Sequence, residues 1–209
     1  MSENNSSLKC ICSFCNSKNL SLIIDFGDVA LAGGFLKKSQ FKNEKKYPLR
    51  VFFCNDCFAV QVTDKVPADV LFNDYFYFSS SIKTLKYHFQ DYAKNLIQRF
   101  KLNKSSAVLE FGCNDGVLLK PLAEFDIGTI VGVDPATNVI KTINDDRLNL
   151  VNNYFTKETS NKIIKNFGKF DLIMANNVYA HIEDIQDTTK AVKNSLKADG
   201  VFVFEVHYL

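Results

Sequence analysis

The chain has 209 residues, 46% of them hydrophobic, and a formal net charge of +2. That length supports one good core plus a smaller unit, and the near-balanced charge offers no basic stripe for nucleic acid. No apolar run reaches the roughly 18 residues that span a bilayer, and the polar start Met1–Ser7 lacks a signal peptide's apolar centre, so the expectation is a cytoplasmic protein whose six cysteines are metal ligands or free thiols rather than disulfides.

Residues 1–70 read as short strands and turns that carry five of the six cysteines. Cys12-x2-Cys15 and Cys54-x2-Cys57 are two knuckles separated by 38 residues. Each tight C-x2-C turn offers two sulfurs, and two such turns complete the tetrahedron that zinc prefers. The predicted metal ligands are therefore Cys12, Cys15, Cys54 and Cys57. Four thiolates leave no open position for water, which makes the expected zinc structural. Cys10 is an alternative to Cys12 with poorer spacing, and a redox role is the alternative chemistry for either pair. The Lys37–Lys46 stretch, interleaved with Gln, Asn and Glu, reads as a solvated loop.

Residues 71–104 open with the aromatic run Leu71-Phe72-Asn73-Asp74-Tyr75-Phe76-Tyr77-Phe78-Ser79-Ser80, a predicted lid. A helix follows, with apolar residues at Leu85, Phe89, Tyr92, Ala93, Leu96 and Phe100, close to a 3.6-residue period. The polar Lys101–Ser106 marks a boundary.

From residue 105 to 209 strands and helices alternate. Strands are expected at 107–112, 129–134, 148–155, 170–176 and 201–207, and helices at about 116–124, 136–145, 157–167 and 184–197. Asp199-Gly200 reads as the turn before the last strand. This pattern predicts an α/β fold: a Rossmann-like sheet of five parallel strands with helices on both faces.

The chemistry is written in the first two strand ends. Glu110-Phe111-Gly112-Cys113-Asn114-Asp115-Gly116 follows the first strand, and Asp134 ends the second. Gly112 and Gly116 allow backbone conformations and close approaches that a Cβ forbids. Asp134 stands where nucleotide folds set a carboxylate against a ribose diol. The G-x-G-x-x-G dinucleotide pattern is absent, with Asn114 at its middle position. An acid at Glu110 suits a cationic ligand better than a pyrophosphate. S-adenosylmethionine, with an ammonium and a sulfonium, fits this description; another nucleotide is the alternative. Asn176, Asn177 and His181 follow the fourth strand, at the carboxyl edge where open α/β sheets bind ligands. The expected cofactor residues are Glu110, Gly112, Asn114, Gly116, Asp134 and Asn176.

Taken together with Asp25-Phe26-Gly27, Leu31-Ala32-Gly33-Gly34-Phe35-Leu36, Tyr47-Pro48-Leu49, Cys57-Phe58-Ala59-Val60-Gln61 and Asn176-Asn177-Val178-Tyr179-Ala180-His181-Ile182, these residues resemble the zinc-containing, S-adenosylmethionine-dependent sugar C-methyltransferases. The resemblance covers nearly the whole chain. It implies methyl transfer to a carbon alpha to the ketone of a nucleotide-linked 4-keto-deoxysugar, as part of deoxysugar biosynthesis. It also makes Tyr77 and His181 the catalytic candidates: Tyr77 to hydrogen-bond a developing oxyanion and His181 to assist proton transfer.

Members of that family are longer and carry a Glu-His pair downstream of the point where this chain ends. The expectation is thus an incomplete methyltransferase sheet, with His207 as an uncertain substitute base. An unpaired edge on the last strand would favour self-association or a partner chain. The alternative function is a remnant or half-enzyme that binds zinc and cofactor only.

Overall fold

The computed structural model describes residues 10–33, 35–72 and 75–207. Met1–Ser7, Gly34, Asn73 and Asp74, all used in the sequence argument, lie outside the described residues. Two compact units are present, Met1–Pro67 and Ala68–Leu209.

The first unit is an antiparallel sheet of β1 (Leu20–Ala30), β2 (Lys46–Cys54) and β3 (Val60–Val62), in that order. β1 and β2 pair from Leu20↔Cys54 to Ala30↔Lys46, with irregularities after Leu22 and Asp25. The register puts the second cysteine turn at the end of β2, beside the start of β1. An Arg50–Asp64 ion pair with little exposure braces β2 against the segment after β3.

The second unit begins with α1 (Ala68–Phe72) and a short 3-10 turn at Ser79–Ser81, then α2 (Lys83–Phe100). The stripe read from the sequence packs as expected. Phe89, Ala93 and Leu96 are buried, and Leu85, Tyr92 and Phe100 lie against the same cluster. Lys101 ends the helix in a left-handed conformation, and the Leu102 amide closes the last turn on the Ile97 carbonyl.

Alternation then builds the sheet: β4 (Ala107–Phe111), α3 (Leu119–Ala123), β5 (Thr129–Val133), α4 (Thr137–Ile140), β6 (Asn149–Val151), α5 (Lys157–Phe167), β7 (Phe170–Asn176), α6 (Ile185–Ser195) and β8 (Leu196–Glu205). Its order is β6-β5-β4-β7-β8, with all pairs parallel. The chain leaves β4 toward one edge and returns to β7 on the other side, so the switch point lies between β4 and β7. Ligand crevices form there because the flanking loops diverge.

Period-two alternation divides the core. Val108, Ile130, Leu172 and Met174 face α2, α3 and α4. Leu109, Val131, Val133, Ile173 and Ala175 face Ile163 of α5 and Ala191 and Val192 of α6. Both sheet faces are covered, as near-continuous apolar strands require.

The boundaries differ from expectation in four places. The helix expected at about 136–145 is only the short α4, Thr137–Ile140. Residues 116–118 form a turn before α3, because Gly116 holds a positive φ. The third strand stops at Val151. Asn152 then donates to the Asp134 and Pro135 carbonyls, and Phe155 turns down to stack on Phe111 at 4.7 Å. Finally, Asp199-Gly200 lies inside the last strand rather than before it. Leu196 already pairs with Phe170, and the residues up to Gly200 bulge out before Val201 meets Leu172.

Candidate functional site

The first unit brings all four predicted cysteines together. Sγ of Cys12 lies 3.6 Å from Cys57, and Sγ of Cys15 lies 3.6 Å from Cys54. All four sulfurs fall within 4.8 Å of one another, the spacing of a tetrahedral thiolate cage. The two knuckles share one backbone design. The Asn16 amide donates to the Cys12 carbonyl and the Phe58 amide to that of Cys54, with Asn16 and Phe58 both at positive φ.

Gln61, quoted in the resemblance motif but given no role at the metal, is the outer support. Its carboxamide donates to Cys12 Sγ at 3.0 Å and accepts from the Ser13 amide. Burial raises the Cys12 thiol, but the bonds from Gln61 and backbone amides bring it down to about 6. The Ser17 amide pulls Cys15 down, while burial and three neighbouring sulfurs push it up to about 12. Four crowded sulfurs resist joint ionisation until a cation joins them, so the donor set fits zinc. Cys10 stands outside the cage and accepts from Thr63.

In the second unit, Glu110 and Asn176 meet across the switch point. Asn176 Nδ2 donates to Glu110 Oε1 at 2.8 Å, and both residues are buried. Their remaining atoms, Glu110 Oε2 and Asn176 Oδ1, are buried with no hydrogen-bond partner. Burial drives Glu110 up to about 8, against the Asn176 bond and with help from the Asp134 charge. Once Glu110 ionises, Oε2 and Asn176 Oδ1 are both orphaned acceptors, and a ligand ammonium would give them the donor they lack.

One strand over, Asp134 accepts from the Asn114 and Ala136 amides, each at 2.8 Å. Each of its oxygens keeps a second lone pair for a ligand hydroxyl. These positions suit the amino-acid and ribose ends of S-adenosylmethionine.

The glycine loop is shaped more by packing than the sequence suggested. Gly112 has φ +68, and a Cβ there would meet Val178 side-chain atoms at 2.7–2.9 Å. Asn114 adopts φ +50, and its carboxamide grips the aromatic segment. It donates to the Tyr77 carbonyl and accepts from the Ser79 amide. Asp115 accepts from the Ser80 amide, and Asn138 exchanges bonds with the Tyr75 backbone. Segment 75–81, part of the expected lid, is thus tied down through its main chain. Asp115 and Asn138 were missed by sequence reasoning, although the Asn114-Asp115 pair in a ligand loop was a local signal for the first.

Tyr77 and His181 are both exposed. Tyr77 reaches the cofactor loop through its carbonyl, and its ring lies 6.3 Å from Tyr75. His181 closes a 3-10 turn, Tyr179–His181, and its ring makes no hydrogen bond among the described residues.

A second polar cluster has no counterpart in the sequence reading. His88 Nε2 on α2 lies 2.7 Å from Glu205 Oε2 at the end of β8. Asn177, at φ +55, donates its side chain to Glu205 Oε1 and its amide to the Glu205 carbonyl. Tyr92 stacks on His88 at 5.8 Å, and its phenol is driven up to about 12 by burial and the charges of Glu205 and Glu110. With 117 residues between His88 and Glu205, no local signal existed.

A zinc binding domain model matches residues 12–72, and a methyltransferase domain model matches residues 85–209. The chain is 30% identical over 199 residues to the C-methyltransferase NovU of Streptomyces niveus, a match to 95% of this chain and 47% of that protein. It is 35% identical over 97 residues to a ubiquinone biosynthesis O-methyltransferase of Bartonella tribocorum, covering 45% of this chain and 38% of that one. The chain thus spans about half the length or less of these curated relatives. A solved S-adenosylmethionine-dependent methyltransferase from Anabaena variabilis aligns with 52% of this chain and 47% of its own, at 18% identity and a TM-score of 0.45. With a matching domain model over more than half its length, a doubly wound parallel sheet and a four-cysteine cage ahead of it, the chain belongs to the S-adenosylmethionine-binding methyltransferase family and carries that family's zinc-binding domain at its N-terminal side.

Proposed function

We propose that the protein is a C-methyltransferase acting on a carbon alpha to the ketone of a nucleotide-linked 4-keto-deoxysugar in the cytoplasm. The observation that carries the cofactor half of this reading is the buried pair of orphaned acceptors, Glu110 Oε2 and Asn176 Oδ1. They would take the ammonium of S-adenosylmethionine, Asp134 the ribose hydroxyls, and the loop from Gly112 through Asn114 to Gly116 the floor between them. Bound there, the cofactor supplies an electrophilic methyl group on a sulfonium. The carbon half is supported by the likeness to the C-methyltransferase NovU, which runs through both units, whereas the O-methyltransferase likeness spans 97 residues, and the sugar half rests on the motif resemblance to sugar C-methyltransferases.

At the acceptor, Tyr77 would donate a hydrogen bond to the oxygen that gains charge as the α-proton leaves, and His181 would assist proton transfer. The clasped lid would exclude water from both. The outer edge of β8, unpaired among the described residues and bearing the exposed Phe204, is a proposed association surface.

Calorimetric titration with S-adenosylmethionine and with NAD tests the reading. The expected result is binding of the first alone, weakened roughly 10- to 100-fold in Glu110→Gln by loss of a charge-assisted bond. Binding of NAD without S-adenosylmethionine would overturn it. Cofactor binding without methyl transfer to any 4-keto sugar nucleotide would instead favour a chain that holds zinc and cofactor only.

A further inference from the structure

Three side chains hold the segment 75–81, and one of them belongs to the cofactor site as well. Asp115 accepts from the Ser80 amide at 3.1 Å, and Asn138 donates to the Tyr75 carbonyl at 2.8 Å. Asn114 reaches further. Its carboxamide donates to the Tyr77 carbonyl at 3.0 Å and accepts from the Ser79 amide at 2.9 Å, which brackets Phe78 from both sides. A carbonyl only accepts and an amide N–H only donates, so these two partners fix which way the carboxamide faces. The backbone amide of the same residue donates to Asp134 Oδ2 at 2.8 Å. One buried residue thus touches both the carboxylate assigned to the ribose and the backbone that carries Tyr77.

The double reach depends on an unusual loop. Asn114 has φ +50, between Gly112 at +68 and Gly116 at +76. A left-handed conformation is unfavourable for a residue with a Cβ and persists only where its surroundings hold it. The hold here comes from the Gly112 and Cys113 amides on the Val133 carbonyl and from the Asn114 amide on Asp134. A ligand hydroxyl on a free lone pair of Asp134 fixes that carboxylate further. Whatever steadies Asn114 on Asp134 also steadies its grip around Phe78.

Resting on the cofactor assignment above, we propose that Asn114 is a positioning residue that couples cofactor to acceptor. Cofactor held on Asp134 fixes the backbone around Phe78 and so sets Tyr77 for the acceptor ketone. The loaded protein, rather than the empty one, then binds the acceptor. Coupling of this kind is reciprocal: the segment must tighten cofactor binding by the factor with which cofactor tightens the segment.

The test reads that factor from both sides on the zinc-loaded full chain. Hydrogen exchange at the Ser80 amide is the reporter, because its bond goes to Asp115 and not to Asn114. Saturating S-adenosylhomocysteine should slow it by about tenfold in the wild type, within the usual range of such couplings. Asn114→Gly keeps the left-handed backbone and the amide on Asp134 and removes only the carboxamide. In this variant the Ser80 response should shrink to less than about twofold, and S-adenosylhomocysteine affinity by calorimetry should fall by about the tenfold that the reporter lost. Asn114→Asp keeps an acceptor for the Ser79 amide but has no donor for the Tyr77 carbonyl. It should lie between the two, and it carries the test if Asn114→Gly does not fold. A merely structural bond behaves differently, since its loss would lower Ser80 protection equally with and without ligand and leave their ratio unchanged.

On the acceptor side, dTDP-4-keto-6-deoxyglucose should bind the wild type about tenfold more tightly with S-adenosylhomocysteine present, and Asn114→Gly equally in both states. A full Ser80 response in the variants, or none in a wild type that binds S-adenosylhomocysteine, would overturn the coupling and leave the methyltransferase reading standing. A wild type that responds at Ser80 but binds no 4-keto sugar nucleotide would overturn the acceptor half of the proposal together with the sugar reading. Binding of NAD without S-adenosylhomocysteine would overturn the cofactor assignment, and this proposal with it.

Discussion

Glu110 is the residue on which site chemistry and stability meet. Burial lifts its carboxyl from the ordinary carboxylate range to about 8. The folded protein therefore keeps a proton that the unfolded chain loses above about pH 4.5. Its contribution to stability is complete below that point and is lost as pH rises toward 8, at up to about 1.4 kcal/mol per pH unit. Urea unfolding across pH 5 to 8 should show this slope in the wild type and a flatter one in Glu110→Gln. An ammonium against Oε2 reverses the balance, so cofactor binding at pH 7 should release up to about one proton. Calorimetry in buffers of different ionisation enthalpy reads that release, and Glu110→Gln should abolish it. At Gly112 the requirement is steric. An alanine there would combine a left-handed backbone with collision against Val178, costing about 2–4 kcal/mol. Adding Val178→Ala should restore the collision part alone, which a double-mutant cycle in denaturant resolves.

At the scale of elements, the lid depends on the loops after β4 and β5. Asn114 makes two bonds to it, Asp115 holds the Ser80 amide, and Asn138 holds Tyr75. Asn114→Ala removes two bonds worth about 0.5–1.5 kcal/mol each. Hydrogen exchange should then show lost protection at Ser79, while amides of β4 and β5 keep theirs. Equal loss along β4 would mean that Asn114 supports the sheet rather than the lid. The same loops explain where sequence reading reached and where it stopped. Gly112, Asn114 and Asp134 were legible because a loop between strand and helix announces itself locally. The partners of the Asn114 side chain were not, because Tyr77 and Ser79 arrive from another part of the chain. The bulge of Lys197–Gly200 was invisible for the same reason, since only pairing with β7 reveals it.

On the scale of the whole molecule, the two units rest on different forces. The second has cores on both faces of its sheet. The first has a three-stranded sheet and buries Cys12 and Cys54 around the cysteine cage. Metal binding in such a unit is folding free energy. A chelator under reducing conditions should remove one zinc per chain and melt the first unit while the parallel sheet persists. Scanning calorimetry with and without chelator reads this as the shift of one transition of two. A single joint transition would show that the second unit needs the first.

By itself the sequence determined the order of strands and helices, the cysteine cage and the glycine loop with its two acids, since periodicity and short spacing are properties of neighbouring residues. Only the tertiary structure decided that Asn114 clasps the lid, that Val178 lies across Gly112, and that His88 and Glu205 form a pair. Those contacts exist once parallel strands bring their carboxyl ends to one edge, and no spacing along the chain encodes them.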